Sequence, residues 1–248
     1  MISIKESKFI KSLQLKKFRK LENRFIVEGA KNVLELMSSD FVVDTLYVTE
    51  AFRSSHFEIW DGREDLVVRL VTEKELSKVG VFTNNNAALA VARIKEDASM
   101  DFSKSLLAFD RVKDPGNLGT IIRIADWYGF DTIVCSLDSV DCYNPKVVSA
   151  TMGSFVRVRV VYAEIAEVVR RATCTYGATL QGEDIHAIDF KDPALILFGN
   201  ESTGIAPELI EQLDQQVKIP AYGQAESLNV AVSTAVFCDN FRRVLKKS

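Results

Sequence analysis

The chain is poor in the residues on which several common chemistries depend. Its 248 residues include only two histidines, His56 and His186, and four cysteines, Cys135, Cys142, Cys174 and Cys238, none of them in a CxxC pair. A zinc site needs clustered Cys and His ligands, so no metal is expected, and the cysteines read as reduced, buried or half-buried thiols. Long apolar runs are missing too. Stretches such as Val230–Val232 and Leu195–Phe198 fall far short of a membrane span. The opening MISIKESKFIKSLQLKKFRK has no continuous apolar core for a signal peptide. A cytoplasmic protein without membrane attachment is expected.

Three nucleophile and nucleotide signatures are also lacking. Gly116-Asn-Leu-Gly119 has the wrong spacing for GxGxxG, and the next strand segment ends in Cys135-Ser136 with no acidic residue. Gly199-Asn-Glu-Ser-Thr-Gly204 carries both glycines of a phosphate loop but continues Ile205-Ala206, without the lysine that would meet a terminal phosphate. No GxSxG accompanies a usable histidine. Dinucleotide oxidoreductases, ATPases and serine hydrolases are thereby disfavoured.

What is present is an ordinary globular composition, 47% hydrophobic and 26% charged, long enough for one large domain or two modest ones. The net charge of −3 excludes a protein coated in positive charge, yet counterion release depends on local charge. Residues 1–24 hold eight basic side chains (Lys5, Lys8, Lys11, Lys16, Lys17, Arg19, Lys20 and Arg24) against Glu6 and Glu22. That excess suits a polyanion, although a solvated helix face explains it equally well.

Up to Ile94 the pattern is that of a small α/β unit. Phe9, Ile10, Leu13, Phe18 and Leu21 recur as on one amphipathic helix with the lysines opposite. Strand patterns follow at Phe25–Val27, Leu46–Val48, Leu66–Val71 and Leu89–Arg93, and helices at Ala30–Met37 and Glu73–Ser77. The polar run KEDASMDFSK is aperiodic, so residues 1–95 are expected to form one domain, 96–105 a linker and 106–248 a second domain. From Leu106 strands alternate with helices, which implies a mostly parallel sheet. Short apolar Leu195–Phe198 reads as a strand covered on both faces. A long helix is expected over Leu228–Leu245, apolar around more of its surface than one buried face requires.

In such sheets ligands sit in the loops at the carboxyl ends of the strands. Three of these loops are too specialised to be mere connections: those within DPGNLGTIIR, LILFGNESTGI and IPAYGQAESLNVAVSTA. Together, in this order, they resemble the three signature motifs of the SpoU (TrmH-like) family of the SPOUT methyltransferases. NRFIVEGAKNVLEL is similar to the start of that family's N-terminal substrate-binding domain, which has a ribosomal-protein-like fold. The resemblance spans nearly the whole chain. It implies an S-adenosylmethionine-dependent RNA ribose 2′-O-methyltransferase whose C-terminal domain contains a deep trefoil knot and forms a homodimer. It favours ribosomal RNA as substrate over transfer RNA; a non-catalytic RNA-binding adaptor that keeps the knot is the alternative from another class.

The resemblance also assigns residues. Gly199, Ile219 and Leu228 should line the cofactor pocket, with Thr151 and Gly153 as further contributors. Arg123 matches the family's arginine, given either as general base or as a partner of an RNA phosphate. A guanidinium holds its proton too tightly for base work, so phosphate clamping and hydroxyl orientation are the roles read here, against a plain surface salt bridge. Asn117 is expected to cap its helix and to reach the site. Glu201 matches the motif-two glutamate that orders the site. Ser227 is expected near the substrate or as the cap of the last helix, and Asn229 in that helix's first turn, hydrogen-bonding near the ribose. Lys16, Lys17, Arg19, Lys20, Arg111 and Lys113 are the candidate RNA contacts, with ordinary solvated charges as their plain alternative.

Overall fold

The computed structural model describes residues 1–60, 63, 66–95, 99–200 and 202–246. The chain forms two compact units, Met1–Glu96 with Asp141–Val156, and Asp97–Val140 with Arg157–Ser248.

The first unit opens with helices α1 (Ile4–Ser12) and α2 (Lys16–Glu22), followed by β1 (Arg24–Glu28), α3 (Ala30–Met37), β2 (Val43–Val48), α4 (Glu50–Ser55), β3 (Val67–Leu70), α5 (Glu73–Val79) and β4 (Ala88–Arg93). Its sheet has the order β1-β4-β2-β3, antiparallel except for the β2–β3 pair. Successive residues of a strand face opposite sides, and both sides are largely buried in β1, β2 and β4, while the edge strand β3 is exposed. Phe25, Val27, Leu46, Val48, Ala88 and Ala90 point into one core with α3 and Phe52 of α4. Ile26, Tyr47, Leu89 and Val91 point into the other with Ile10, Leu13, Leu76 and Val79. The second core explains the hydrophobic spacing read near the N-terminus, but that stretch is two helices. The chain turns at Leu13-Gln14-Leu15, which leaves Leu21 71% exposed and buries Arg19 in its stead.

The second unit carries β5 (Leu106–Phe109), α6 (Pro115–Trp127) and β6 (Thr132–Ser136). The chain then leaves it to form α7 (Pro145–Ala150) in the first unit, and returns for β7 (Arg159–Ala163), α8 (Ile165–Arg171), β8 (Thr175–Asp184), β9 (Leu195–Phe198), α9 (Pro207–Ile210), β10 (Gln215–Lys218) and α10 (Val230–Leu245). Six strands make a fully parallel sheet, β10-β8-β9-β5-β6-β7. This is the α/β architecture expected from the alternation of strands and helices. The central strands β5 and β9 are buried along their whole length. Leu106, Ala108, Leu195 and Leu197 pack on Ile165, Val168 and Leu209. On the opposite face Phe198 stacks on Phe109 with centroids 5.2 Å apart and meets Phe237 of α10 edge-on at 5.3 Å.

The excursion of residues 141–156 was not part of the sequence expectation of a continuous second domain. Tyr143 and Phe155 complete the first unit's core, with ring centroids 4.6 and 6.1 Å from that of Phe25, and Val148 joins them. Residues of the linker, 96–98, lie outside the described residues.

Candidate active site

Because every strand of the second sheet runs the same way, the segments after β5, β6, β9 and β10 open on one edge. That edge is where a parallel sheet binds ligands. Two hydrogen bonds draw these segments together. Asn200 Nδ2 donates to the Arg111 carbonyl at 2.8 Å, joining the β9 loop to the β5 loop. Asn229 Nδ2 donates to Asn117 Oδ1 at 2.9 Å, joining the end of the β10 loop to α6. Between these ties residues 221–229 run exposed throughout. In strand order they must cross from β10 back to β5, three strand spacings or about 14 Å.

The helix carrying Arg123 starts with an aspartate cap. Asp114 Oδ1 accepts the Asn117 N–H at 2.8 Å, and Pro115 occupies the first helical position, where its missing N–H costs nothing. The expected capping role of Asn117 therefore belongs to Asp114. This releases the Asn117 amide for Asn229. Gly116, Thr120, Arg123 and Trp127 form the exposed stripe of α6, while Leu118, Ile121, Ile122 and Ala125 are buried. Arg123 lies about 9 Å along the axis from Asn117, and a long helical side chain leans back toward the N-terminus, that is, toward the loop edge. At the last helix the cap is Asn229, whose Oδ1 accepts from Ala231 N at 2.9 Å and from Val232 N. Ser227 is exposed in the preceding loop and not at the cap, and Asn229 stands before the first turn.

The β9 loop is a tight hairpin closed by paired bonds between Asn200 and Gly204, 3.0 and 2.9 Å. A methyl group at Gly199 would stand 2.1 Å from the Gly204 carbonyl carbon and the Ile205 nitrogen. Gly199 is thus demanded by the loop's own closure. Gly199→Ala is expected to cost about 1–3 kcal/mol of stability, read from the denaturation midpoint. Gly223→Ala, where an added methyl meets nothing within 4 Å, should leave the midpoint in place. Ile219 is half-buried and Leu228 is 48% exposed on the same edge. Glu201 lies outside the described residues. Thr151 and Gly153 belong to the first unit. Thr151 is fully buried, its hydroxyl donating to the Val148 carbonyl at 2.7 Å, and Gly153 packs so closely that an added methyl would lie 2.4 Å from Glu35 Cγ.

The candidate RNA contacts fall into three groups. Lys16, Lys17 and Lys20 are exposed on α2. Arg19 is 2% exposed and spent internally on Asp141 and on the Leu13 and Gln14 carbonyls, the latter at 2.9 Å each; its place in a basic surface is corrected accordingly. Arg111 pairs with buried Asp110 at 2.9 Å, and that hydrogen bond raises its pKa. Lys113 pairs with Asp138 at 2.8 Å and draws that carboxyl below its usual range. Both cations would have to exchange a carboxylate for a phosphate. Asp114, Ser136, Asp138 and Asn200 hold the loops of this edge by hydrogen bonds and were passed over in the sequence reading. The Asp-Pro pair before a helix was the available signal for the first; for the others, partners distant in sequence decide.

The β9 and β10 loops contain no lysine, arginine or histidine from Gly199 to Ala206 or from Ile219 to Asn229, only Glu201 and Glu226 as charges. These two loops therefore offer no basic side chain to pair with an anion. The second unit is thus a parallel α/β sheet whose β5, β9 and β10 loops, the last two without basic side chains, are tied over one edge. The chain belongs to the SpoU rRNA methylase family, which it matches over residues 104–239. Residues 5–90 match an MRM3-like substrate-binding domain. It is 31% identical over 237 residues, 94% of each chain, to the 23S rRNA (guanosine(2553)-2'-O)-methyltransferase RlmP of Bacillus subtilis (strain 168). Among solved structures it resembles a Porphyromonas gingivalis protein assigned to the TrmH family of RNA methyltransferases, with TM-score 0.88, 31% identity and coverage of 98% of this chain and 99% of that one. It also resembles an AdoMet-bound rRNA methyltransferase from Sinorhizobium meliloti, with TM-score 0.86, 28% identity and coverage of 99% and 97%.

Proposed function

We propose that this protein transfers a methyl group from S-adenosylmethionine to a ribose 2′-hydroxyl of ribosomal RNA. The observation that carries the reading is the joining of the β5, β9 and β10 loops beside a helix that presents exposed Arg123, in a chain of the SpoU family. The ribosomal substrate follows from the Bacillus relative, which by name modifies 23S rRNA and matches this chain over both units. A transfer RNA substrate and a non-catalytic adaptor are the alternatives it displaces.

Bound S-adenosylmethionine would supply an electrophilic methyl on a sulfonium, held by the backbone around Gly199, Ile219 and Leu228, where the lack of basic side chains suits its charge. Arg123 would clamp an RNA phosphate and donate to the ribose oxygen, stabilising the charge that develops there as the hydroxyl gives up its proton to solvent. Asn117 and Asn229, already paired, would orient the ribose, with Ser227 and Glu201 completing the site. Residues 1–95 would serve as the RNA-binding domain, 96–105 as linker and 106–248 as catalytic domain, the last lending its segment 141–156 to the core of the first unit. We further read the second domain as knotted and homodimeric, in a cytoplasmic protein. The return of α10 to pack on α6 supports the first. The exposure of Trp127 (84%), Leu228 and Val232 supports the second. No helix of the described residues is long and apolar enough to cross a membrane.

Transfer of tritium from labelled cofactor to ribosomal RNA, recovered in a 2′-O-methylated nucleoside, is the expected result. Binding of NADH without S-adenosylmethionine binding would refute the reading. Lys16→Glu, Lys17→Glu and Lys20→Glu together should weaken RNA affinity and reduce the slope of log K against log salt by about 2, with cofactor affinity unchanged by calorimetry. Equal loss of both affinities would contradict the division of labour.

A further inference from the structure

Arg111 sits in the left-handed region at φ +58°, which a residue other than glycine keeps only where its surroundings hold it. Its peptide groups are held from several sides. The Arg111 N–H donates to Ser136 Oγ at 2.8 Å, at the end of β6. The Arg111 carbonyl accepts Asn200 Nδ2 at 2.8 Å, from the β9 loop. The guanidinium pairs with Asp110. Three residues further on, Asp114 caps the helix that bears Arg123.

The other end of the Asn200 tie is equally engaged. Asn200 Oδ1 accepts Ser202 N at 2.9 Å and Thr203 N at 3.3 Å, and its backbone closes the hairpin on Gly204. One side chain thus shapes the β9 hairpin with its oxygen and pins the β5 loop with its nitrogen. An isosteric acid would preserve the first function and reverse the second, because a carboxylate oxygen would face the Arg111 carbonyl across 2.8 Å. We propose that Asn200 is a positioning residue for methyl transfer: through the Arg111 peptide it couples the β9 loop to the start of the Arg123 helix, so that cofactor held by the β9 loop orders the substrate side of the site. This rests on the function proposed above.

The test is Asn200→Asp in the full chain. Measurements are S-adenosylmethionine affinity by calorimetry, kcat and KM with ribosomal RNA, and amide hydrogen exchange of residues 110–118 with and without cofactor. Expected are a cofactor Kd within about threefold of wild type, a kcat lower by about 10²-fold, an RNA KM nearly unchanged, and loss of the protection that cofactor confers on 110–118 in wild type. Unchanged kcat overturns the proposal; so does a loss of cofactor affinity as large as the loss of kcat, which would make Asn200 a part of the cofactor loop alone. Should the variant not fold, Ser136→Ala, which loosens the same peptide from its other side, decides by the same split between kcat and Kd. Cofactor-induced protection in a wild-type protein inert toward RNA would sink the methyltransferase reading and leave the coupling standing. An active wild type with an indifferent Asn200→Asp would do the reverse.

Discussion

Arg123→Ala is expected to lower the rate of methyl transfer by about 10²–10⁴-fold, while S-adenosylmethionine affinity and the unfolding midpoint stay at wild-type values. The stability expectation follows from the position of Arg123 on the exposed stripe of α6, opposite Leu118, Ile121, Ile122 and Ala125, which hold the helix to the sheet. The binding expectation follows because the loops proposed to hold the cofactor follow β9 and β10, whereas Arg123 is on α6. A lysine at this position would keep the charge but lose the planar fork that grips a phosphate and an oxygen at once, so Arg123→Lys should recover only a small part of the lost rate. If the arginine orients and does not remove the proton, the pH profile of the residual activity keeps its wild-type shape. Wild-type kcat in Arg123→Ala would remove the residue from the site altogether.

The parts of this molecule that were legible in its sequence are those governed by local pattern. The alternation of short apolar strands with helices gave a parallel sheet because strands that run the same way need a crossover between them, and the burial of β5 and β9 on both faces showed as unbroken apolar runs. The three loops were visible because their Gly, Pro and Asn residues interrupt that pattern. Less legible was everything decided by partners far apart in the chain. Asp114 and Asn117 both lie where a cap can stand; the structure gives the cap to Asp114, and the partner of the Asn117 side chain is Asn229, 112 residues away. At α10 the choice between Ser227 and Asn229 is local, made by where the helix starts: Asn229 accepts from Ala231 N and Val232 N. Asn200 drew no role from its sequence context; its reach to Arg111 depends on β5 and β9 being neighbours in the sheet.

Arg19 illustrates the limit most sharply, since charge alone placed it with its neighbours Lys16, Lys17 and Lys20. Arg19→Ala is expected to cost about 3–5 kcal/mol of stability. The substitution would leave Asp141, 16% exposed, without the guanidinium that meets it at 2.9 and 2.5 Å, and would strand the Leu13 and Gln14 carbonyls. Asp141 is the first residue of the segment that the chain sends from the second unit into the first, so the pair anchors both the turn before α2 and the entry of that segment. Removing both charges together, as Arg19→Met with Asp141→Leu, should restore much of the loss, because an apolar pair needs no desolvation of ions. RNA binding separates this role from the surface one. Folded Arg19→Ala protein should keep the wild-type salt slope of RNA affinity, which Lys20→Glu reduces. An arginine that met phosphate would show the opposite pair of results: an unmoved denaturation midpoint and a shallower slope.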